Sequence, residues 1–102
     1  MRIDELRIGL VTEALIDRPL VRMLDWLARE VPEITALEIG TGGYAPSHHC
    51  DVQRLLADAG ARRAWQAEIA AHGVIVTALN AWGNPLHPDP AIAAAHDRAL
   101  RD

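Results

Sequence analysis

A handful of side chains have the types and spacing of working groups. Glu38 is a carboxylate inside the apolar run Ala36-Leu37-Glu38-Ile39. Burying a carboxylate without a partner is costly, so Glu38 either faces a ligand cavity or meets an ion-pair or hydrogen-bond partner. Asn80, Trp82, Asn84 and His87 crowd the stretch Asn80–Pro90 together with one glycine and three prolines. Asparagine amides can orient a ligand's hydroxyl groups, a tryptophan face can wall a pocket, and histidine exchanges protons near neutral pH. Each also has a purely structural role. Asn84 is a common turn former, Trp82 suits simple packing at a rim, and His87 can fix its loop by bonding backbone carbonyls.

Other candidates are weaker. Glu13 follows the first apolar run directly and is either site-facing or solvated. His48, His49 and Cys50 are adjacent metal-ligating types, but neighbours in an extended chain point to opposite sides, and no second cluster has zinc spacing. His72 reads as a histidine at a helix C-terminus, where a cation complements the dipole. His96 reads as a helix-packing residue. Gly40-Thr41-Gly42-Gly43 lacks the G-x-G-x-x-G pattern of a dinucleotide fold and reads as the turn that ends a strand.

These residues need elements to hold them. Val74–Leu79, VIVTAL, is a short β-branched run after Gly73, which is how a strand buried on both faces reads. Asp89 is a good N-cap and Pro90 fits a first helical turn, so strand, restricted polar loop and helix follow one another. Earlier, Arg7–Thr12 is a strand. Asp17-Arg18-Pro19 starts a helix whose apolar residues Leu20, Met23, Leu24, Leu27 and Val31 share one face, and Pro32 stops it. Ala36–Ile39 is a second short strand. Asp51 caps a helix over Val52–Asp58, Gly60 marks a break or a C-cap, and a further helix covers Ala61–His72. Ala91–Arg101 closes the chain.

The order β-α-β-α(α)-β-α requires crossover connections, hence a parallel α/β sheet with right-handed turns. In such folds ligand sites lie at the carboxyl ends of the strands. The chain's 102 residues suffice for one domain. A net charge of −4 gives no footprint for nucleic acid. No apolar run approaches the roughly 20 residues of a membrane span. A lone cysteine and the absence of a signal-like N-terminus suit a reducing cytoplasm. Three parallel strands leave two bare apolar edges, which implies either a larger fold or association, as a homo-oligomer, through those edges.

The runs RIGLVTEAL, LEIGTGGY with HCD close behind, and above all WGNPLHPDP followed by HDRAL resemble the sugar phosphate isomerase/epimerase family. These are the xylose isomerase-like barrels, grouped with the family-2 apurinic endonucleases. The resemblance spans essentially the whole chain, residues 1–102, and corresponds to the first three βα units of a (β/α)8 TIM barrel, which takes about 250 residues when complete. It implies an incomplete barrel here and, in the complete one, a divalent cation (Mn, Mg, Co or Zn) and proton transfer beside the carbonyl of a sugar or sugar phosphate. The family's main metal ligands come from later strands. No metal, cofactor or certain catalytic residue is therefore expected within these 102 residues. Glu38, His49, Asn80, Trp82, Asn84 and His87 are the expected substrate-binding residues. Two alternatives stand beside this: a non-catalytic self-associating α/β module, and part of an abasic-site endonuclease-like barrel.

Overall fold

The computed structural model describes residues 2–102. Strand β1 is Ile8–Val11, helix α1 Leu20–Glu30, strand β2 Ile34–Gly43, helices α2 and α3 Val52–Ala57 and Ala59–Ala71, strand β3 Ile75–Trp82, and helix α4 Pro90–Arg101. Short 3₁₀ turns occupy Ile3–Glu5 and Thr12–Leu15. The strands form one open sheet in the order β1-β2-β3, with both pairs parallel.

One face of the sheet carries the core. Met23, Leu24 and Leu27 of α1 are buried against Leu37 and Ile39 of β2, with Ile69 of α3, Cys50 and Val74 completing the cluster. The helical stripe read from the sequence is therefore the buried face of α1, and Trp26 flanks it. Strand residues alternate between faces. Because Leu37 and Ile39 turn to the helices, Ala36, Glu38 and Gly40 turn to the opposite, uncovered face.

Four expectations need correction. The glycine run is strand, not turn: Gly40 pairs with Asn80, Gly42 with Ala81 and Gly43 with Trp82. Its backbone kinks through positive φ at Gly42 and Gly43, a conformation glycine adopts without penalty, so the ladder continues through residues whose composition suggests a turn. Strand β3 likewise runs on to Trp82, taking Asn80 out of the loop. It is not buried on both faces. Its exposure alternates, and Ile75 and Leu79 are 45% and 58% exposed, because β3 is an edge strand with no outer neighbour among the described residues. Finally, Gly60 is neither break nor C-cap. It lies in the first turn of α3, where the Asp58 carboxylate accepts from the backbone N–H groups of Gly60 (2.7 Å) and Ala61 (3.2 Å).

The far end of α3 is tied to α1. His72 donates from Nδ1 to the Glu68 carbonyl at 2.8 Å and from Nε2 to the Asp25 carboxylate at 2.7 Å. The Glu68 carbonyl first, and then the Asp25 carboxylate, push the His72 pKa above its ordinary value. An imidazolium that gains partners on folding stabilises the protein fully below its unfolded pKa of about 6.5. That contribution is lost as pH rises through the higher folded value. The stability gap between wild type and Asp25→Asn, measured by urea unfolding, is expected to be largest near pH 6 and to shrink toward pH 9.

Candidate functional site

The carboxyl ends of the three strands bring four side chains to the uncovered face. Glu38 is half-buried, and its carboxylate accepts a hydrogen bond at 3.2 Å from the side-chain amide of Asn80 on the neighbouring strand. Two residues further along β2, Gly40 is buried although it faces away from the helices. What covers it is the Trp82 ring. A methyl group at Gly40 would lie 2.5 Å from Trp82 Cζ3, 3.2 Å from Trp82 Cη2 and 3.2 Å from Oε2 of Glu13. Glu13 from the β1 side, Gly40 from β2, and Trp82 from β3 therefore meet at one point. The benzo edge of the indole is the electropositive part of the ring, which suits a carboxylate beside it. Glu13 Oε2 is shielded from solvent and has no hydrogen-bond partner.

The arrangement offers a flat apolar wall, an amide, and two carboxylates with acceptor capacity left over. Free carboxylate oxygens accept only from hydrogen-bond donors. Glu13, which the sequence left between site-facing and solvated, belongs to the cluster, and Gly40 makes room for it. The signal for Glu13 was its place immediately after a strand.

The remaining candidates lie elsewhere. His49 is 2% exposed and donates from Nε2 to the Arg18 carbonyl at 2.7 Å, while its own carbonyl accepts from the Trp65 indole at 2.9 Å. It thereby ties the β1–α1 loop to the segment before α2, and its Nδ1 is buried without a partner. Asn84 makes a turn, its Oδ1 accepting from the Leu86 N–H at 2.9 Å. His87 accepts at Nδ1 from the Asp89 N–H at 3.0 Å, so its proton resides on Nε2. That bond uses a backbone N–H, not a carbonyl. Neither loop residue is hydrogen-bonded to Glu38 or Asn80. His96 does more than pack: its Nδ1 accepts from the Asn84 N–H at 2.8 Å and anchors the loop to α4.

His48 is exposed while its neighbours His49 and Cys50 are buried, so the three do not converge. Burial, and then the adjacent Asp51 carboxylate, push the Cys50 thiol up, which leaves it unreactive as a nucleophile. Among the described residues, no three His, Cys, Asp or Glu side chains gather so as to hold a metal ion. Nor, among them, is any helix long and apolar enough to cross a membrane.

No protein-family model matches the chain, and no solved structure matches it. Among curated proteins it is similar to the uncharacterized protein YfiH of Bacillus subtilis (strain 168), with 31% identity over 83 residues. That alignment covers 81% of this chain and 26% of the relative, so the chain spans about a quarter of the length of the protein it matches.

The packing at Gly40 can be tested directly. Gly40→Ala is expected to displace the Trp82 ring and cost about 1–3 kcal/mol, the usual range for overpacking. A changed near-UV dichroism signal, absent when the same substitution is made in a Trp82→Phe background, is the expected readout.

Proposed function

We propose that this chain is the N-terminal part of a (β/α)8 barrel that isomerises or epimerises a sugar or sugar phosphate. The observation that supports it most is the convergence of Glu13, Glu38, Asn80 and Trp82 at the carboxyl ends of three parallel strands. Parallel α/β barrels hold their substrates at that end. The motif resemblance supplies the reaction class.

In this reading the chain's own residues bind and orient. Asn80 holds the Glu38 carboxylate in place, Glu38 and Glu13 accept hydrogen bonds from substrate hydroxyls, and Trp82 excludes water from one side of the sugar. Asn84 and His87, whose hydrogen bonds stay within their own loop, are assigned no contact with the substrate. Two carboxylates are fewer oxygen donors than a divalent cation takes, so these residues do not form a metal site by themselves, and no step is assigned to a metal here. In the complete barrel, the Mn, Mg, Co or Zn ion that the resemblance implies would take its ligands from other strands. The net charge of −4 and the acidic character of the cluster disfavour the abasic-endonuclease alternative. The buried thiol of Cys50 suits a cytoplasmic setting.

In the full-length protein, Glu38→Gln is expected to lower kcat/KM for aldose–ketose exchange or epimerisation at least about tenfold, or about 1.4 kcal/mol of transition-state stabilisation. Wild-type kinetics in that variant would remove Glu38 from the site.

A second reading rests on the exposed apolar residues Ile8, Ile75 and Leu79 along the two outer strands. They favour self-association of the 102-residue chain through its sheet edges. Sedimentation velocity is expected to show dimers or larger species that Leu79→Lys converts to monomer. A wild-type monomer at every concentration would end this reading.

A further inference from the structure

We infer that the chain binds an apolar monocarboxylate, an alkyl or aryl acid, in the cavity bounded by α2, α3, the end of β3 and the end of α4. This site is separate from the sugar-site reading above and does not depend on it. Leu79, which lines the cavity, pairs with Ile39 of the core. Directly paired residues share a face, so the cavity lies on the helix-covered side of the sheet, opposite Glu38.

The walls suit an apolar body. The cavity measures about 420 Å³, within the span of roughly 300–1,000 Å³ typical of small-ligand sites. Leu56 of α2, Leu79 of β3 and Leu100 of α4 all line it, and they are 49%, 58% and 63% exposed. Three leucines from three elements thus meet at one hollow with apolar area still in contact with water. Trp65 of α3 adds a further wall. Its indole N–H is already taken up by the His49 carbonyl at 2.9 Å, so the ring has no polar atom left to offer.

Charge sets the head group. The lining holds two guanidinium side chains, Arg62 and Arg101, and one side-chain carboxylate, Asp102. It is net positive in a chain whose net charge is −4. Arg101 Nε donates to Asp97 at 2.8 Å, and Asp102 accepts from the Gln53 amide at 3.2 Å. Arg62 pairs with no carboxylate among the described residues. Its Nη1 donates to the Leu55 and Leu56 carbonyls at 2.6 and 3.2 Å, which fixes the guanidinium against the end of α2. Its Nε and Nη2 donate to no acceptor among the described residues. Those two groups form one edge of the planar fork, and a carboxylate docks on such an edge with both oxygens. A neutral ligand leaves that edge to water, and a dianion finds no second unpaired guanidinium in the lining.

The test is a calorimetric titration of the full chain with octanoate, hexanoate and 1-octanol, with ¹H–¹⁵N spectra locating the ligand. Octanoate is expected to bind once per chain and to shift the Trp65 indole N–H and the Gln66 side-chain amide saturably. Affinity is expected to fall about fourfold for each methylene removed, the usual effect of burying that group. Arg62→Gln is expected to weaken octanoate at least about tenfold, as loss of a charged hydrogen-bonded pair does, and to leave 1-octanol unchanged. Leu79→Asn, which keeps Arg62 in place, is expected to weaken both ligands. Wild-type octanoate affinity in Arg62→Gln overturns the proposal. So does the absence of a saturable shift, or a Trp65 resonance that moves with protein concentration alone, which would put a second copy in the cavity.

Discussion

A carboxylate set between two fully buried residues constrains the rest of the sheet. Leu37 and Ile39 are 0% exposed, and Glu38 lies between them, so it can avoid an unpaired burial only on the opposite face and only with help from a neighbouring strand. Asn80 gives that help from β3. The amide reaches in a register where β3 lies parallel to β2 with Gly40 beside Asn80. A parallel neighbour in turn requires the chain to cross over the sheet, which α2 and α3 accomplish on the face where Leu37 and Ile39 need cover. The polar pair and the apolar core are thus two consequences of one alternation along β2.

The meeting at Gly40 follows from the same register. Continued pairing through Gly42 and Gly43 carries β3 as far as Trp82, and the indole then falls back over Gly40. At Gly43, a methyl group would strike the Trp82 backbone, and at Gly83 it would strike the His96 ring. Three glycines therefore let β2, β3 and α4 approach closely around a single tryptophan. Glu13 reaches the same point because β1 ends after Val11 and turns at once through a 3₁₀ segment.

The sequence revealed the element order, the parallel sheet, the α1 stripe and most helix limits, because these rest on local periodicity, caps and prolines. It misread what depends on partners. The glycine run resembled a turn because composition cannot show that β3 pairs alongside it. Val74–Leu79 resembled a doubly covered strand because its β-branched content does not reveal that it is an edge. The α3 start carries a local signal, since Asp58 is an N-cap, but the glycine two residues on is equally a helix C-cap type. At the site, Glu38, Asn80 and Trp82 were legible as residue types out of place in their surroundings. Gly40 was not, since its role is to be empty space. His49 could not be assigned from sequence, because its carbonyl partner lies 31 residues away.

The uncovered face is itself divided along the strand direction. Toward the amino ends it presents small or apolar residues: Gly9 against Ala36, with Ile75 beside them. Toward the carboxyl ends it presents Glu38, Asn80, Glu13 and Trp82. Small residues allow close approach of another layer, while a carboxylate and an amide oppose dry packing unless they are satisfied. A face that was merely awaiting cover would be apolar throughout, and a face that was merely solvated would not bury Gly40 under an indole. The gradient divides the face into a half suited to close packing and a half that requires polar partners.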